Sequence, residues 1–106
     1  MRTTIWLSYD LGIRGDYDGL YTWLDGLGAQ ECGDSLALVR YEHDGDILEE
    51  LRDDLEEELT LTKRTRIYVV YTDPASKRAK GRFLFGGRRS APWSGFAQEE
   101  QEIDEE

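Results

Sequence analysis

The chain has 106 residues, of which 39% are hydrophobic and 34% charged, and its formal net charge is −10. This length and composition indicate one soluble globular domain with a modest core. No apolar run approaches the roughly 18 residues of a membrane span, and a single cysteine excludes an internal disulfide. The first residues lead directly into a strand pattern without signal-peptide character, so we expect a cytoplasmic protein.

The charge is unevenly distributed along the chain. Residues 1–62 carry a net −12, residues 63–98 a net +8, and the tail from Glu99 a net −6. The acidity of the whole chain argues against nucleic-acid binding, but phosphates respond to a local basic face. An alternative stays open, in which the basic segment pairs with the acidic helix or the acidic tail, within one chain or between subunits.

The first half predicts a strand, a helix and a hairpin. Residues 3–10 alternate apolar and polar side chains, which is typical of a strand covered on at least one face. Asp16 stands at the N-cap position of an apolar helical pattern over 17–27. A Gly-Asp turn then separates two short strands, at 29–32 and 35–42.

The second half predicts another helix and two further strands. Asp46 and Glu49 have the spacing of a capping box before a leucine-rich helix with an acidic outer face. Residues 65–72 have high strand propensity, and a basic linker over 75–80 then leads to a short extra strand at 82–85. We interpret His43 as a solvated turn residue and Cys32 as a small buried one.

The order strand-helix-strand, repeated once, is that of the α+β ferredoxin-like βαββαβ plan. It predicts two helices on one face of a four-stranded antiparallel sheet, with the short extra C-terminal strand beyond it. We assign residues 1–97 to one domain, with a basic C-terminal arm over 75–97, and residues 98–106 to an acidic disordered tail. If Trp6 points away from the helices, it marks an interface on the other face.

The order of elements over residues 3–86 resembles that of the small CRISPR-associated adaptation protein family and of related ferredoxin-fold toxins. The resemblance is carried by the end of the first strand, the start of the first helix, the hairpin turn and the apolar fourth strand: Tyr9-Asp10-Leu11, Asp16-Tyr17-x-x-Leu20, Gly33-Asp34-Ser35 and Ile67–Tyr71.

The resemblance implies a homodimer with face-to-face sheets, in which Asp10 and its symmetry mate share Mg²⁺ or Mn²⁺. In members described as nucleases, the ion activates water against a phosphodiester; elsewhere the dimer holds DNA on basic edges. The chain is then either a metal-dependent endonuclease or endoribonuclease, or a catalytically silent relative. Its acidic first half and acidic tail depart from the family pattern.

Asp10 is the candidate catalytic residue and metal ligand, because a strand-end carboxylate supplies the hard oxygen that these ions prefer. Ser8 and Arg14 are candidate helpers, as a hydrogen-bonding partner and a phosphate contact. The competing interpretation of Asp10 is an ordinary turn acid before Gly12.

A second candidate site is a phosphate-tracking edge in the basic arm. Its predicted members are Lys77, Arg78, Lys80, Arg82, Arg88 and Arg89. The run Lys80–Phe85 resembles part of an RNA-recognition signature, but it follows the fourth strand rather than the third, so we interpret that match as chance. A non-enzymatic protein-interaction or regulatory module, using the segregated acidic and basic faces, is the alternative function.

Overall fold

The computed structural model describes residues 1–88 and 90–97. It is an α+β domain with two helices and a five-stranded antiparallel sheet, compatible with a ferredoxin-like fold. In chain order the elements are β1 (Arg2–Asp10), α1 (Tyr17–Gly26), β2 (Gln30–Gly33), β3 (Leu36–Glu42), α2 (Ile47–Glu58), β4 (Arg66–Thr72) and β5 (Ala79–Phe85). The strands lie in the order β2-β3-β1-β4-β5.

The expectation of a four-stranded sheet is wrong, because β5 is a full member of it. β5 begins at Ala79 rather than at Arg82, and it pairs with β4 along its whole length, from Thr72 opposite Ala79 to Ile67 opposite Phe85. The basic linker was predicted to extend to Lys80, but its last two residues belong to the strand. The extra strand therefore pairs with β4 of its own chain.

The core lies between the helices and one face of the sheet. Ile5 and Leu7 of β1 are fully buried there with Leu51 and Leu55 of α2, while the alternate β1 residues are exposed. The helices begin where the sequence predicts, because Asp16 and Asp46 each accept a hydrogen bond from the backbone of the first turn. The opposite side of the sheet, which we call the open face, carries the central-strand residues Trp6, Ser8, Tyr68 and Val70 together with Phe83 of β5.

A β-bulge decides which β5 side chains reach the open face. Tyr68 lies opposite Phe83, whereas the preceding residue Ile67 lies opposite Phe85, so Leu84 is an extra residue. Leu84 is buried, and its carbonyl accepts a hydrogen bond from Arg52 Nε of α2 at 3.4 Å. The bulge therefore anchors β5 to α2 and leaves Phe83 on the open face.

Two side chains lie elsewhere than the sequence suggested. His43 is buried: its ring stacks on Tyr41, and its nitrogens lie 2.7 Å from Thr3 Oγ1 and 2.8 Å from the Gly45 carbonyl oxygen. Cys32 is exposed because all of β2 is an outer strand with exposed side chains. Neither residue adds a group to the site described below.

We expect Gly81→Ala to destabilise the protein by roughly 1–3 kcal/mol, as overpacking does. A methyl group at position 81 would overlap the Tyr68 hydroxyl and ring, which would have to swing away from the open face. The measurement is chemical denaturation with near-ultraviolet circular dichroism. Gly26→Ala is the matched control, because a methyl group there meets open space and α1 gains up to about 1 kcal/mol. Equal stabilities of the two variants would contradict this packing.

Candidate nucleic-acid interface

Asp10 lies at the end of β1, directly opposite the first residue of β4, Arg66. Its Oδ2 accepts a hydrogen bond from Arg66 Nη2 at 2.5 Å, and its Oδ1 accepts one from the backbone N–H of Gly12 at 3.0 Å. Gly12 has a left-handed φ of 79°, which allows the chain to turn there. The carboxylate is thus held by a turn on one side and a guanidinium on the other.

These contacts favour the ionised form of Asp10. The Gly12 N–H, followed by the Arg66 guanidinium, holds the pKa of the Asp10 carboxyl below its ordinary value, and the charge of Arg88 adds to the effect. The Asp10 side chain is 53% exposed and that of Arg66 25% exposed, so the ion pair contributes little to stability. Its main consequence is the fixed position of the Arg66 guanidinium.

A cavity of about 530 Å³ opens on the open face beside this ion pair. We call it the aromatic cavity, because the rings of Tyr68, Phe83 and Trp93 line it. The remaining lining residues are polar or charged, or belong to the segment 90–97, and comprise Ser8, Tyr9, Asp10, Arg66, Arg88, Ala91 and Pro92. A turn in that segment, in which Ser94 N–H donates to the Ala91 carbonyl at 3.0 Å, brings Trp93 to the cavity.

A second cavity of about 330 Å³ lies on the other side of the ion pair. We call it the basic cavity, because Lys63 and Arg64 line it together with Arg66. A turn places these two side chains: Thr65 N–H donates to the Thr62 carbonyl at 3.2 Å, and Thr65 Oγ1 accepts from Thr62 N–H at 3.0 Å. Asp10 and Arg66 line both cavities, so the two form adjoining parts of one site.

Sequence reasoning missed Lys63 and Arg64. Both were counted in the basic segment, but neither was assigned to a site. The available signal was their position immediately before β4, since the antiparallel partner of the strand ending at Asp10 must begin beside it. Of the predicted helpers, Ser8 lines the aromatic cavity, while Arg14 lines neither cavity.

The predicted phosphate-tracking edge is divided by the structure. Arg88 lies in the aromatic cavity, beyond the end of β5. Lys77 and Arg78 precede the other end of β5, and Lys80 pairs with Asp73, with 3.2 Å between Nζ and Oδ2. Arg82 lies opposite the core residue Val69, on the other side of the strand from Phe83. Arg89 lies outside the described residues, as does the predicted tail, 98–106.

A metal ion shared through Asp10 stays a prediction. Among residues 1–88 and 90–97, no group of three or more acidic, histidine or cysteine side chains is placed to hold a metal. Of the carboxylates in the described part of the chain, Asp10 alone lines the two cavities, and both of its oxygens accept hydrogen bonds. One described chain therefore does not offer the several oxygen ligands that Mg²⁺ takes.

Comparisons with protein families, curated proteins and solved structures found no match for this chain. The family resemblance inferred from the sequence accordingly stays a prediction. No helix in the described part of the chain is long and apolar enough to cross a membrane.

We expect Arg66→Gln to raise the Asp10 pKa while leaving it below its ordinary value of 3.8, since the Gly12 N–H still donates to the carboxylate. A lowered pKa means that this interaction stabilises the fold above the unfolded-state pKa and is lost as the pH falls through the folded-state pKa. Carboxyl-carbon NMR titration of Asp10 measures it. Arg64→Gln is the control, because Arg64 does not pair with Asp10, and an unchanged midpoint in Arg66→Gln would contradict the ion pair.

Proposed function

We propose that the protein binds nucleic acid, with the phosphates of the strand held at the end of the open face where β1 ends and β4 begins. We also propose that its domain is a ferredoxin-like βαββαβ unit extended by β5. One observation carries the proposal: within residues 1–88 and 90–97, the two adjoining cavities gather four cationic side chains around a single carboxylate, the cations being Lys63, Arg64, Arg66 and Arg88.

The charge at this site has the sign opposite to that of the whole chain. The net charge is −10, so clustering four cations with one acid concentrates positive potential where the sheet ends. Guanidinium groups suit phosphate because their planar donors bond two oxygens at once. In this proposal Asp10 orients Arg66 and neutralises part of its charge, which limits how tightly a strand is held.

Within the described residues, no ion pair joins the acidic helix to this site. Among the described residues, the ion pairs of the second half are Arg66–Asp10 and Lys80–Asp73, and neither involves α2. The basic residues of the site therefore form no ion pairs with the exposed acids of α2 in the described part of the chain. The same acids are what the alternative function, a protein-interaction module, would present to a basic partner.

A catalytic homodimer with face-to-face sheets is an alternative to binding a strand on the open face, since a second sheet packed there would cover the aromatic cavity. It has its own tests. If Asp10 from two chains shares Mg²⁺ or Mn²⁺, Asp10→Asn abolishes metal-dependent cleavage of RNA or DNA while leaving the fold intact. If the protein is a catalytically silent relative, neither the unaltered protein nor the Asp10→Asn variant cleaves RNA or DNA. Light scattering on the full chain decides whether the homodimer that such a site requires exists.

Arg88→Gln tests the place of binding directly. We expect it to weaken oligonucleotide binding and to reduce the slope of log affinity against log salt by about 0.7 to 0.9, the value for one lost phosphate contact. Fluorescence anisotropy over a salt series measures both quantities. Arg78→Gln is the matched control, because it removes the same charge at the other end of β5.

The two variants separate the possible outcomes. A larger effect of Arg78→Gln would move binding to the edge predicted from the sequence and contradict the site proposed here. Binding that is absent, or that does not respond to salt, would reject nucleic-acid binding and favour the protein-interaction module.

A further inference from the structure

We propose that the aromatic cavity takes an unpaired nucleobase, so that the ligand is a single strand rather than a duplex. This rests on the proposed function, because the cations beside the cavity would hold the phosphates that flank the base. The three rings of the aromatic cavity would then stack on a base, which the phosphate contacts alone do not require.

Two rings of the aromatic cavity are unusually exposed for large apolar side chains. Trp93 is 74% exposed and Phe83 47% exposed, although both are large apolar side chains. Phe83 meets Tyr68 edge to face, with ring centroids 4.9 Å apart and an interplanar angle of 79°. This contact fixes the Phe83 ring on the open face without covering it, which leaves π surface available for stacking.

The backbone around these rings is arranged to leave space above the sheet. Gly81 has no side chain where the Tyr68 hydroxyl lies, so Tyr68 can lean across β5 toward it. The β5 bulge keeps Phe83 on the open face beside Tyr68. The resulting volume of about 530 Å³ falls within the range of roughly 300 to 1,000 Å³ in which proteins hold small ligands.

The position of the charges favours a base over an apolar peptide side chain. Arg66 and Arg88 line the same cavity as the rings, so a group that enters it lies beside two guanidinium groups. A nucleotide satisfies both features at once, with its base on the rings and its phosphate on the arginines. The bases of a duplex are stacked on one another, and a base must be unstacked to enter such a cavity.

The polar groups at the cavity are few. Ser8 and the already bonded Asp10 are the non-aromatic side chains there, besides the arginines, that could bond to a base edge. Stacking is sequence-tolerant because every base has a π face. The inference therefore includes weak discrimination between bases.

The test compares three forms of one short oligonucleotide: single-stranded, annealed to its complement, and abasic at every position. We expect the single strand to bind most tightly and to quench the tryptophan fluorescence. We expect Trp93→Leu to lose most of this quenching and to weaken binding by at least about fivefold. Phe96→Leu is the matched control, since Phe96 is an exposed aromatic of the same segment that does not line the cavity. Phe83→Leu, with Trp6→Leu as its control, repeats the comparison on the sheet.

The outcomes separate this inference from the function on which it rests. If no form binds, the proposed function fails. If the single strand and the abasic strand bind equally, and Trp93→Leu binds as well as Phe96→Leu, phosphate binding stands and base stacking is rejected. A duplex that binds as tightly as the single strand would likewise overturn the inference. So would a Trp93→Leu variant that alters the mass in solution and leaves oligonucleotide binding unchanged, since the rings would then contact a second copy.

Discussion

The antiparallel pairing of β1 with β4 is the constraint on which the site depends. It places Asp10 opposite Arg66, and its register is fixed because Ile5 and Leu7 on one strand and Val69 on the other are fully buried under the helices. A slip by one residue would expose these side chains and bury their polar neighbours. The core thus determines, at a distance, which charges meet at the end of the strands.

The fifth strand gives the site its second component. Without β5, the open face would hold Tyr68 at an edge; with it, the bulge at Leu84 presents Phe83 beside that ring and leads the chain on to Arg88. The segment that follows then returns to the sheet, where Trp93 closes one side of the cavity. Charge and aromatic surface meet because the edge strand β5 leads to Arg88, which lines the same cavity as Phe83.

Local patterns predicted the elements better than their assembly. Alternation, capping residues and the Gly-Asp turn located both helices and the first four strands within a residue or two, because these signals are short-range. Asp10 and Arg88 were candidate site residues from the sequence, whereas Lys63 and Arg64 were not. Their place beside Asp10 depends on the pairing of β4 with β1 across more than fifty intervening residues. No short-range sequence pattern predicts the bulge in β5 or the burial of His43.

The most direct test of the account is NMR mapping of the full chain with a short single-stranded oligonucleotide. We predict that the largest backbone amide shifts fall on Ser8, Arg66, Phe83 and Trp93, because these residues line one cavity. The amides of α2 and of the turn before β5 stay unchanged. Shifts concentrated in the turn around Lys77, or the absence of any shift at saturating oligonucleotide, would contradict it.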